Sequence, residues 1–210
     1  MILNKMTTLA PKSEKIFVLA PAGTHMARCY YFLHIGTNLD QYMGEPKEFN
    51  KIRLTFELPE ETKVFKEERG PEPIVISQEY TLSLGEKANL RKLVEGILGK
   101  TLTENEADTF DLESLVGEPC LLTIKHKTSK AGNERAEIAS AAPLMKGQKC
   151  PKQVNASKIL TYTNWSQELF ETLPNFLKEK MKTSREYRAM ITGEKVDVAS
   201  DTVNPEDIPF

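Results

Sequence analysis

Residues 50–58 constrain the architecture more than any other stretch. Ile52, Leu54, Phe56 and Leu58 alternate there with Lys51, Arg53, Thr55 and Glu57. A period of two places four large apolar side chains on one face of a strand and polar ones on the other, so the segment must lie across a core. Two flanking stretches carry the same signal. In residues 23–37, Ala27, Cys29, Tyr31, Leu33 and Ile35 fall on one face, with Met26, Arg28, Tyr30, Phe32 and His34 opposite. In residues 74–82, Ile74, Ile76, Gln78, Tyr80 and Leu82 share a face. A turn-rich loop over 36–49, holding Asn38, Asp40, Gly44 and Pro46, separates the first strand from the second. A charged loop ending in Gly70-Pro71-Glu72-Pro73 separates the second from the third.

The period then changes. Between 86 and 98, Leu90, Leu93, Val94, Ile97 and Leu98 recur at helical spacing, and Gly99 suits the stop. Residues 104–116 predict a helical turn or two, ended by Gly117 and Pro119. Strands at 120–127 and 131–142 follow, joined as a hairpin by the lysine-bearing turn 127–132. After a Pro- and Gly-containing linker over 143–158, Trp165, Leu169, Leu173, Phe176 and Leu177 form an apolar stripe that Pro174 divides into two short helices.

The expected fold is mainly β with helices (α+β). Three strands, a helix and two strands is the order of the OB fold, a five-stranded Greek-key barrel with a helix between strands three and four. The chain then divides into an N-terminal arm (1–22), an OB-fold nucleic-acid-binding domain (23–145), a linker with C-terminal helices packing on the barrel or on a partner subunit (146–192), and a disordered acidic tail (193–210).

Composition narrows the class. With 40% hydrophobic and 28% charged residues, the 210-residue chain has an ordinary globular balance. Its longest apolar runs, such as 16–20, fall far short of the ~20 residues of a membrane span. No secretory leader pattern opens it, so no membrane association and a cytoplasmic location are expected. Cys29, Cys120 and Cys150 are odd in number and lack CxxC spacing, which argues against a disulfide framework or a zinc knuckle.

Charge is unevenly spread. Residues 194–210 carry five acids against Lys195 alone, a net of −4; with the whole chain at −2, residues 1–193 are at +2. Residues 125–158 hold eight Lys/Arg against Glu134 and Glu137. A basic stripe on a body with an acidic tail suits a polyanion binder with protein partners.

No catalytic constellation emerges, and the protein is read as a non-enzyme without cofactor or metal. Gly99-Lys100-Thr101 lacks the earlier glycine of a phosphate loop, since position 94 is Val, and it leaves a helix instead of following a strand. His25, His34 and His126 show no metal-ligand spacing. Asn155-Ala156-Ser157 and Asn164-Trp165-Ser166 match the glycosylation sequon without other signs of secretion.

A single-strand site needs cations that follow phosphates and aromatic faces that stack on bases. The candidates are Arg28, Tyr30 and Phe32 on the first strand, Lys51 and Arg53 on the second, Tyr80 on the third, and Lys125, Lys127, Lys130 and Arg135 around the last hairpin. A separate candidate closes the sequence. Glu206, Asp207, Ile208, Pro209 and Phe210 combine acids, a stiffening proline and a ring that can fill an apolar pocket while its carboxylate meets a basic rim.

That last segment, Asp207-Ile208-Pro209-Phe210 after an acidic linker, resembles the tip of bacterial single-stranded DNA-binding proteins. The resemblance implies recruitment of replication, recombination and repair enzymes, and an OB-fold DNA-binding part. The body is similar to a family of phage-encoded single-stranded DNA-binding proteins of the replication–recombination module. The similarity spans about residues 20–190 and lies in the segments Ala22-Gly23-Thr24-His25-Met26-Ala27-Arg28-Cys29, Ile35-Gly36-Thr37, Phe56-Glu57-Leu58-Pro59, Tyr80-Thr81-Leu82-Ser83-Leu84, Glu118-Pro119-Cys120-Leu121-Leu122 and Ile138-Ala139-Ser140. The resulting expectation is a protein that coats single-stranded DNA without sequence preference and recruits partners through its tip, as a monomer or homo-oligomer. The alternative is an adaptor that engages host repair enzymes through the tip without holding DNA.

Overall fold

The computed structural model describes residues 18–129 and 132–194. The body is an antiparallel sheet with a few helices. Its strands are β1 (Gly23–Tyr42), β2 (Glu45–Val64), β3 (Pro71–Thr81), β4 (Pro119–Thr128), β5 (Glu134–Ala142) and the short β6 (Lys158–Leu160). Helices α1 (Asn89–Leu98) and α2 (Glu104–Asp108) lie between β3 and β4, and α3 (Gln167–Thr172), α4 (Asn175–Lys182) and α5 (Arg185–Thr192) close the described chain. None of these helices is long and apolar enough to cross a membrane.

The sheet runs β3-β2-β1-β4-β5, all antiparallel, and β6 adds to β1 in parallel. The five-strand path does not close into a barrel, because β3 and β5 share no ladder. One side chain spans the gap, where Ile138 N donates to Gln78 Oε1 at 2.7 Å.

The alternation in β2 holds: Ile52, Leu54, Phe56 and Leu58 are all fully buried, each contributing about 1.5–3 kcal/mol. β1 departs from simple alternation. Register shifts fall between Cys29 and Tyr31 and between His34 and Gly36, so Tyr30 and Ile35 are each an extra residue against β2. Each bulge reverses the faces. Ala27, Cys29 and Phe32 join the core inside the sheet, whereas Leu33 and Ile35 join a second core with Leu160, Phe170, Leu173, Leu177 and Met181. Tyr31, Leu33 and Ile35 do share a face, but it is the one under the C-terminal helices, not the face of Ala27 and Cys29.

The second bulge is where α5 docks. Gly36 has φ +91°, and a Cβ there would lie 2.6 Å from Glu186 Oε2. The freed space lets Glu186 accept from Thr37 N and Thr37 Oγ1, both at 2.6 Å. Beside it, Tyr162 Oη donates to the Ile35 carbonyl at 2.8 Å. Elsewhere the buried Arg91 ties α1 to the start of α2, with Nε 3.0 Å from Glu95 and Nη1 2.7 Å from Glu104.

The turn-rich loop expected over 36–49 is instead a continuation of β1 and β2, paired out to Tyr42 and Glu45 and reversed by Met43 and Gly44 at φ 53° and 90°. Such a two-residue reversal matches the twist of the strands it joins. The linker is also ordered. Glu57, expected to face solvent, is fully buried and accepts from Val154 N, Asn155 N and Asn155 Nδ2 at 2.7–2.8 Å. The N-terminal arm up to residue 17, residues 130–131 and the acidic tail from 195 lie outside the described residues.

Candidate nucleic-acid interface

The β4–β5 hairpin places its cations on one outer face. Directly opposed residues of an antiparallel pair point the same way, and the register pairs Lys125 with Glu137 and Lys127 with Arg135. Lys125, Lys127 and Arg135 are all exposed. Glu137 is the single carboxylate among them, 2.7 Å from Arg135 Nη2 and 3.7 Å from Lys127 Nζ. The opposite face packs inward through Ile124 and Ile138, while His126 Nε2 donates to the Ala20 carbonyl at 2.8 Å. Lys130, at the turn, lies outside the described residues, as do Glu206, Asp207, Ile208, Pro209 and Phe210.

The outer face of β2 and β3 is arranged differently. Lys51 reaches Asp40 at 2.5 Å and lies over the Phe49 ring. Arg53 sits 3.7 Å from Glu79 and over the ring of Phe176 on α4. Lys180, also on α4, donates to Glu79 Oε2 at 2.5 Å. Both predicted cations of β2 therefore point outward, but α4 lies over the row to which Arg53 belongs. Burial pulls the Arg53 guanidinium below its ordinary value, while Glu79 pulls it back up.

Three expected contact residues do not present the free ring or cation expected of them. Phe32 is 4% exposed and belongs to the inner core, because the Tyr30 bulge turns it inward; it has no free face for a base. Tyr80 is 6% exposed, with its ring in the same core, because it follows Ile74 and Ile76 on the inner face of β3. Arg28 points outward but is engaged: Nη1 donates to the Gly117 carbonyl at 2.6 Å and Nη2 to the Pro151 carbonyl at 3.1 Å. It brackets the linker against β1. Tyr30, the bulge residue, is half-buried; burial first, then Glu57, pushes its phenol up.

The basic stripe read over 125–158 is two groups. β4 runs antiparallel to β1, with Ile124 opposite Gly23 and Pro119 opposite Arg28. The hairpin cations thus lie beyond the start of β1, while Lys149 and Lys152 flank Cys150 and Pro151, which contact Ala27 and Arg28. Sequence reasoning missed the outer end of the β1–β2 arm, where Lys47 lies over both Tyr42 and Phe49. The Gly, Asn, Asp and Pro content of 36–49 hid it. Among the described residues, no three His, Cys, Asp or Glu side chains gather as a metal site.

Compared with known proteins, the chain matches no family model and no curated sequence.

Proposed function

We propose that this protein binds single-stranded DNA through the outer face of the β4–β5 hairpin, on a barrel of OB type left open between β3 and β5. The observation that carries the reading is the hairpin itself: Lys125, Lys127 and Arg135 share an exposed face with Glu137 as their only carboxylate among the described residues. Cations so placed attract a phosphate chain without reading bases. The strand order β3-β2-β1-β4-β5 with α1 between β3 and β4 supports the OB reading. On this reading the protein is a phage-type coating protein of DNA replication and recombination, a binder and not an enzyme. Residues 206–210 recruit its replication and repair partners.

Fluorescence anisotropy of a labelled oligo-dT and a matched duplex, at low and moderate salt, tests it. Tight binding to the single strand and weak binding to the duplex is the expected result. The Lys125→Glu, Lys127→Glu double variant should abolish most of that binding. It should also flatten the slope of log affinity against log salt by about 1.4, the share of two phosphate contacts. No single-strand binding at low salt would overturn the reading.

One observation favours an adaptor that holds no DNA. Helix α4 lies over the outer face of β2 and β3, where an OB barrel takes its strand, and Phe32 and Tyr80 are in the core. Under that reading the lysine reversal leaves partner recruitment intact and there is no DNA binding to lose.

A further inference from the structure

The gap between β3 and β5 has a shape and chemistry of its own. Around the Gln78–Ile138 bridge lies a cavity of about 560 Å³, a size that suits a small organic ligand. Leu90 and Leu93 of α1 and Ile138 of β5 give it an apolar wall. Hydrogen-bonding side chains also line it, Gln78 and Tyr80 among them. Gln78 uses its carbonyl on Ile138, and its amide N–H groups meet no acceptor among the described residues. The Tyr80 hydroxyl likewise has no partner among the described residues, yet it is not one of the polar atoms sealed from solvent. Burial pushes this phenol up, so it stays protonated and able to donate.

The rim is cationic. Lys51, which also holds Asp40 at 2.5 Å, and Lys92 stand at it. Its two carboxylates are each met by two cations, Glu79 by Arg53 and Lys180, and Glu137 by Lys127 and Arg135. A partly apolar slot lined by hydrogen-bonding side chains and carrying a positive rim fits a flat, polar-edged ring carried on a phosphate chain. The hairpin cations that would follow that chain end at the same rim.

We infer that the β3–β5 seam receives one nucleobase of the bound strand, with Gln78 and Tyr80 hydrogen-bonding its edge and Lys51 and Lys92 meeting the flanking phosphates. The inference rests on the single-strand reading above and gives it a defined pocket. Tyr80, displaced from the stacking role by burial of its ring, acts through its hydroxyl. Specificity among bases would then arise at one position in each footprint while the rest of the strand is held by charge.

The test titrates the full chain into a dT oligomer carrying a single 2-aminopurine, reading anisotropy and 2-aminopurine emission together. A base drawn away from its neighbours brightens, so emission should rise as anisotropy rises. Tyr80→Phe keeps the ring in the core and removes only the hydroxyl. Gln78→Glu keeps an acceptor for Ile138 N and removes the N–H donors. Each should abolish the emission rise and weaken binding by at least about fivefold, the worth of one hydrogen bond, and Tyr80→Phe, which changes no charge, should leave the salt dependence unchanged. An emission rise identical in the unmodified protein and both variants would overturn the pocket and leave strand binding standing. No anisotropy change with any form would overturn the pocket and the single-strand reading together.

Discussion

Lys180 Nζ lies 2.5 Å from Glu79 Oε2, fastening α4 to the outer face of β3. The pair is partly exposed and screened, so its worth is at most about 1 kcal/mol. What holds the helix is the second core, in which Leu177 is 4% exposed and Met181 fully buried. Urea unfolding should therefore show Lys180→Ala costing less than about 1 kcal/mol and Leu177→Ala about 2–5 kcal/mol. Equal costs would mean that α4 is held electrostatically.

Glu57 is the anchor of the linker. Its carboxylate accepts two backbone N–H bonds and one amide bond from residues 154 and 155, with no exposure to water. Glu57→Ala leaves those donors without an acceptor and should cost about 2–4 kcal/mol. Hydrogen exchange at Val154 and Asn155 should accelerate more than exchange in β4. Unchanged protection there would assign the linker's order to other contacts.

Acid should loosen the start of α2 at a definable pH. Lys100, then the Thr103 backbone and hydroxyl, hold the Glu106 carboxyl down to about 2 from an ordinary 4.5. A carboxyl depressed by folding contributes stability above its unfolded value and loses it as pH falls through its folded value. The difference in Tm between the unmodified protein and Glu106→Gln should be constant from pH 7 to about 5, shrink below 4.5 and vanish near pH 2. A difference independent of pH would show that the bonds matter without the charge.

The three thiols should separate by reactivity. Cys29 and Cys120 are fully buried, and burial pushes the Cys29 thiol up to about 12 and that of Cys120 up as well. Cys150 is only partly buried; burial raises its thiol, while Arg28 pulls it back down. Since the thiolate is the reactive form, a thiol-specific reagent should label one cysteine in the native protein and three in denaturant. Labelling of two or more before unfolding would show that the sheet opens locally.

Much of the sheet was legible because alternation is a strong signal wherever one face is buried. β2, β3 and the β4–β5 hairpin fall where Ile52–Leu58, Ile74–Tyr80 and the lysine turn predict them. β1 was legible as a strand but not in its facing, because both its faces are apolar and a bulge leaves no mark in the residue pattern. Phe32 changed sides for that reason. β6 was invisible: three residues, Lys158-Ile159-Leu160, form a strand only because β1 offers an edge. The hairpin cations followed from turn chemistry. The seam between β3 and β5 did not, since it brings together residues about 60 positions apart.

The two bulges of β1 have a consequence for how the molecule comes apart. One continuous strand supplies Cys29 and Phe32 to the inner core and Leu33 and Ile35 to the outer one. Each layer draws part of its interior from this strand, so neither can persist once its shape is lost. Heat or denaturant should therefore meet a single cooperative unit, with sheet and C-terminal helices giving way at one midpoint despite having separate interiors.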